Sequence, residues 1–106
     1  MTFILPELSF SYDALEPHFD AKTMEIHHSK HHAGYTNNLN NAIKGSPFEG
    51  QSIETILKSS NLSSAIRNNG GGYYNHCLFW EVLSPNPAPI SEDFLSVINN
   101  SFGSFD

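Results

Sequence analysis

Four of the six histidines fall within His27-His28-Ser29-Lys30-His31-His32, a density of imidazoles that suits either metal ligation or proton handling. On a helix, residues four apart stand on one face, so His27 pairs with His31 and His28 with His32. At about 100° per residue, His27, His31 and Tyr35 lie in a stripe roughly 80° wide, with His28 and His32 on the adjoining flank. A pair of imidazoles is a common offer to one ion, but two ligands do not complete a site. No Glu lies between the paired histidines, as a helical zinc protease would require. Spacing alone leaves a solvated histidine face open as the plain alternative.

His76 is a further candidate, within Tyr73-Tyr74-Asn75-His76-Cys77-Leu78-Phe79-Trp80. On a continuous helix Gly72, His76 and Trp80 share one face, leaving the imidazole a large aromatic on one side and open space on the other. The alternative is a core histidine bonded to a backbone carbonyl. Cys77 has apolar neighbours and no assignable base, and reads as a small buried hydrophobe. Lys30 brings positive charge into the cluster, unless it is simply solvated. Gly70-Gly71-Gly72 lacks the Gly-Lys-Ser/Thr ending of a phosphate loop, which excludes nucleotide binding on that motif. No Ser/His/Asp arrangement or spaced carboxylate pair is present.

The elements that must position these residues can be read in outline. Residues 1–19 form an extended arm, because Pro6 discourages a helix and Pro17 stops a single turn at Asp13–Glu16. Asp20 offers an N-cap for a helix from Ala21 to about Lys44, whose buried face runs through Met24, His27 and His28, His31, Tyr35, Leu39, Ala42 and Ile43. Gly34 and the run Asn37-Asn38-Leu39-Asn40-Asn41 form helix poorly, so packing must hold the second half. Gly45-Ser46-Pro47 ends it. Ser52 caps a shorter helix, Ile53–Ser60. A third periodic segment runs from near Leu62 to Leu83, and propensity breaks it at the glycine triplet at about 1 kcal/mol per Gly. Residues 20–84 thus make one helical domain. A Pro-rich linker at 85–90 follows, and Ser91 caps a further amphipathic segment with Phe94, Leu95 and Ile98 apolar, so that 91–106 reads as the start of a truncated next domain.

Composition bounds the rest. The 106 residues suffice for about one small domain, and 15% charged with 12% aromatic residues is a globular composition. Five Lys and Arg, unclustered, in a chain of net charge −6 argue against nucleic acid as the partner. A lone Cys77 excludes an internal disulfide framework and favours a reducing compartment. With no signal-like start and no apolar run near 20 residues, the expectation is a cytoplasmic protein without membrane partners.

Taken together, Leu5-Pro6, Tyr12-Asp13-Ala14-Leu15-Glu16-Pro17, Met24 through His32 with Tyr35, and Arg67-Asn68-Asn69-Gly70-Gly71-Gly72 with Asn75-His76 and Phe79-Trp80 resemble the N-terminal domain of the iron/manganese superoxide dismutases. Phe102-Gly103-Ser104-Phe105 resembles the opening of that family's C-terminal domain. The resemblance implies an all-α chain folded as a long antiparallel helical hairpin, completed by a C-terminal domain and assembled as a homodimer. It implies superoxide as substrate, disproportionated to dioxygen and peroxide at one manganese or iron ion. His27 and His76 would be two of the metal ligands, and His31 and Tyr35 the pair at the substrate gate that relays protons. Trp80 would belong to the aromatic wall, and Lys30 would steer the anion. In iron-type members a glutamine commonly stands four residues before the second histidine ligand. Gly72 stands there in this chain, which inclines the resemblance to manganese or a metal-tolerant centre. It also implies a helix continuous through the glycines, against propensity.

The remaining ligands of the family lie beyond Asp106, so the chain is expected to be a fragment whose interdomain face, Tyr73 and Trp80 included, lies open and promotes oligomerisation. A different class of reading is a non-catalytic helical hairpin that binds metal or a partner through its histidine face. Convergence of His27 and His76 favours the enzyme; a His76 turned away from His27 favours the binding module.

Overall fold

The computed structural model describes residues 2–106; residue 1 of the expected arm lies outside them. Among the described residues every regular element is helical. Helix α1 spans Ala21–Ile26, a π-helical turn comes next at His27–His32, and α2 spans Ala33–Ile43; the three run on without a break. Then come α3 (Ile53–Leu57), α4 (Ser64–Val82) and α5 (Glu92–Phe102). Among the described residues no helix is long and apolar enough to cross a membrane.

Side-chain caps start the helices. Asp20, Ser52, Ser63 and Ser91 each accept a backbone N–H three residues on, which satisfies a donor that the helix itself leaves open. The expected second helix is shorter than Ile53–Ser60, since Lys58 closes it. Gly45, at φ 71°, turns the chain out of α2, a conformation that favours a residue without Cβ.

Two expectations need correcting. The first long helix is not uniformly α. A π turn widens its circuit by roughly one residue and so rotates α2 relative to α1. The buried stripe therefore runs Met24, His28, His32, Thr36, Leu39 and Ile43, whereas His31 and Tyr35 are exposed. The glycine triplet, for its part, does not break α4, against propensity and as the resemblance implied. Gly70 admits close approach of Leu57, Ile53 and Leu39, whose methyls lie 3.3–3.6 Å from where its Cβ would stand. Gly72 admits the ring of Tyr35. Packing won at these two positions offsets the conformational cost of the run.

Contacts fix α2 and α4 as antiparallel: Leu39 meets Gly70, Tyr35 meets Gly72, and His32 meets His76 and Trp80. One core gathers Leu39, Ile43, Ile53, Ile56 and Ile66 between α2, α3 and α4. A second holds Leu15, Met24 and Trp80 at the other end. The N-terminal arm straps both long helices. Asn40 exchanges two hydrogen bonds with the Phe3 backbone, each 2.8 Å, and Tyr73 Oη–H donates to Ile4 O at 3.1 Å. Asn40 thus shows how packing holds the helix-poor asparagine run.

The expected exposure of Tyr73 and Trp80 is also corrected. Trp80 is 6% exposed and Tyr73 half-buried, because the strap and the histidine turn cover them. The uncovered apolar residues of α4 are Tyr74, Leu78 and Val82, which lie on a different flank, and α5 buries none of its residues.

Candidate functional site

The histidine turn and the middle of α4 face one another, and their rings form one aromatic assembly. His27 and His76 stand 4.9 Å apart between ring centroids, nearly perpendicular at 88°. The Trp80 indole lies 4.9 Å from His27, and Phe79 lies 5.3 Å from it. Tyr35 sits 5.2 Å from His76 on the side that Gly72 leaves open. A Cβ at Gly72 would overlap the Tyr35 ring, whose Cγ lies only 2.6 Å from that point. The open space expected beside His76 is therefore taken by the phenol ring.

Hydrogen bonding decides which imidazoles keep a free nitrogen. Gly72 O can only accept, so His76 Nδ1 carries the proton and donates at 2.7 Å; in the neutral ring Nε2 keeps its lone pair. Among the described residues His27 makes no side-chain hydrogen bond, and burial, followed by its neighbours His76 and His31, lowers its pKa and favours the neutral ring. A neutral imidazole with an unshared nitrogen is the form that binds a metal ion. A cavity of about 250 Å³ lined by His27, Asn75, His76 and Phe79 opens here. A second, of about 390 Å³, is lined by Thr23, Ile26, His27 and His31, so His27 stands at the junction of the two.

The donor set fits a first-row ion in part. Two nitrogen ligands each about 2.1 Å from one ion hold their ring centroids roughly 5 Å apart, which matches the spacing of His27 and His76. Among the described residues no group of three His, Cys, Asp or Glu side chains converges. His31 lies 6.1 Å from His27 by ring centroids and is exposed. Lys30 is exposed too, and the one ion pair among the described residues is Lys22–Glu25 at 3.6 Å.

The other two histidines of the turn are spent on the fold. Pro6 O accepts from His28 Nε2–H at 2.7 Å, and Nδ1 of the neutral ring then accepts from Tyr12 Oη–H at 2.9 Å. His32 is fully buried; its Nδ1 accepts from the indole Nε1–H of Trp80 at 2.9 Å, and Nε2 lies 3.7 Å from Cys77 Sγ. Burial above all, with the nearby His76 and His28, lowers the His32 pKa to about 4. Burial also raises the Cys77 thiol and pushes Tyr73 up to about 12, so both stay protonated at neutral pH. Cys77 is half-buried, not the fully buried hydrophobe expected, and its thiol stays protonated. The sequence placed His32 with His28 only on the flank adjoining the His27 stripe; in the structure it stands in the buried stripe with Thr36, Leu39 and Ile43.

Residues 2–84 match the family described as iron/manganese superoxide dismutases, alpha-hairpin domain. The whole chain is similar to an iron superoxide dismutase of Raoultella planticola, 48% identical over 113 aligned positions. It spans 66% of that relative's length.

Proposed function

The chain belongs to the iron/manganese superoxide dismutases, and from that membership we propose that it forms the helical half of a metal centre that disproportionates superoxide. His27 and His76 are the ligands in this reading, one from each long helix. The observation that carries it is their 4.9 Å approach, with the His76 proton held on Nδ1 by Gly72 O so that Nε2 is left for the ion. A merely solvated histidine face would give no reason for that approach. The ion is iron or manganese; the similarity to an iron-type relative and the glycine at position 72 pull in opposite directions on the choice. When bound it supplies a one-electron couple, so that two superoxide ions and two protons yield one dioxygen and one hydrogen peroxide.

The chain's own residues do the rest. Tyr35 and His31, both exposed at the rim of the site, hold and pass the two protons. Trp80 and Phe79 wall His27 and keep water from its ring. Gly72 lets Tyr35 lie against His76. Lys30, a cation without an acidic partner among the described residues, adds local attraction for an anion on an acidic molecule. The domains in this reading are the arm at 1–19, the hairpin at 20–84, the linker at 85–90 and, from 91, the start of a C-terminal domain that brings the remaining ligands. Homodimeric assembly fits the uncovered apolar residues of α4 and α5, and a cytoplasmic setting fits the single unpaired cysteine.

The test is metal content and superoxide consumption of the protein that carries this chain, purified as His27→Ala and His76→Ala variants. Both are expected to lose bound iron or manganese and at least about a hundredfold of the activity. A His76→Ala protein that keeps its metal would overturn the assignment.

A further inference from the structure

We propose that His32 is a positioning residue, which holds the Trp80 indole by its Nδ1 and the His76 ring by its face, and so fixes how His27 and His76 present themselves. The inference rests on reading those two histidines as ligands. The indole Nε1–H is donor only, so the His32 nitrogen facing it at 2.9 Å carries a lone pair and the ring proton sits on Nε2, toward Cys77 Sγ. The two imidazoles of His32 and His76 stack at 5.2 Å with planes 27° apart. Trp80 in turn meets His27 edge-on, 4.9 Å away at 70°.

His32 thus touches His76 directly and reaches His27 through a single intermediary, Trp80. Its own position leaves it little freedom, because it is fully buried and its carbonyl accepts from Thr36 Oγ1–H at 2.8 Å. Without an acceptor at position 32 the indole N–H has no partner in a buried place. Unpaired buried donors are costly, so the ring turns outward toward water and leaves the side of His27. His76 then loses its stacked face and retains the Gly72 carbonyl and the Tyr35 ring on its other side. Ligand orientation by neighbouring groups of this kind commonly changes metal affinity by 10–100-fold.

The chain has a single tryptophan, so its indole N–H gives one NMR resonance that reads Trp80 alone. The decisive pair is His32→Asn, whose amide oxygen can stand where Nδ1 accepts, and His32→Leu, of similar size without an acceptor. His32→Asn is expected to keep the indole proton protected from exchange, His76 in the single Nδ1–H form by its ring nitrogen shifts, and cobalt(II) affinity within about threefold of the unaltered chain. His32→Leu is expected to lose the indole protection, to average the His76 ring nitrogens, and to bind cobalt(II) about tenfold more weakly or worse. A His32→Leu chain with unaltered His76 shifts and cobalt affinity would sink the proposal. Should His32→Leu fail to fold, Trp80→Phe removes the donor while keeping a ring, and must loosen His27 in the same spectra; an unchanged His27 there counts equally against it. The ligand reading is tested separately, because it fails if His76→Ala leaves cobalt(II) binding intact, whatever His32 does.

Discussion

The two halves of the histidine assembly use one side chain for opposite ends. His28 and His32 have both ring nitrogens occupied, by Pro6 O and Tyr12 Oη, and by Trp80 Nε1 and Cys77 Sγ. His27 has neither occupied by a hydrogen bond, and His76 has one. A saturated imidazole is a buried polar tie that stabilises the fold. An imidazole with a spare lone pair adds little to stability and is free for a ligand. What separates the two kinds is the set of partners each ring finds, since all four share one composition and three share one turn.

That contrast can be broken most directly by stability. His32→Ala leaves a void and an unpaired indole donor, and should cost roughly 3–4 kcal/mol in urea unfolding, whereas His27→Ala should cost about 1 kcal/mol or less. Equal losses would abolish the distinction. Acid gives a smaller effect of known sign. With a pKa of about 4 folded against about 6.5 unfolded, His32 leaves the unfolded chain binding more protons between those values. Its stabilisation is therefore complete above about pH 6.5 and declines as the pH falls toward 4, by of order 1–3 kcal/mol. His27, also lowered by burial and then by His76 and His31, adds to the same slope. Unfolding measured across this range should show the decline in the native chain and a flatter profile in His32→Leu. The smallest effect sharpens the saturated half: Tyr12→Phe removes one bond to His28 and should cost about 1 kcal/mol, with faster amide exchange confined to the N-terminal arm.

Much of this was legible from local chemistry. Asp20, Ser52 and Ser91 cap their helices because a side-chain oxygen before a helical run has one obvious use. His27 and His76 were legible as candidates, and their ring centroids lie 4.9 Å apart. The π turn was not legible, since nothing in His27–His32 distinguishes i→i+5 from i→i+4 bonding until a partner helix rewards the rotation. For the same reason Tyr35 and His31 were assigned to the buried face and are found exposed.

By itself the sequence determined the helical class, the caps, the stop at Gly45 and the histidines worth watching, because each depends on residues within a turn or two of one another. Only the tertiary structure showed what lets three glycines continue a helix and decided that His32, not His31, enters the core. It also decided which ring nitrogens stay free. Those outcomes depend on what lies across the interface: Leu39, Leu57 and Tyr35 filling the space that glycine leaves, and Trp80 bringing a donor from 48 residues away. A hydrogen bond or a methyl contact at that separation has no local signature, and its energy exists only once the two helices have met.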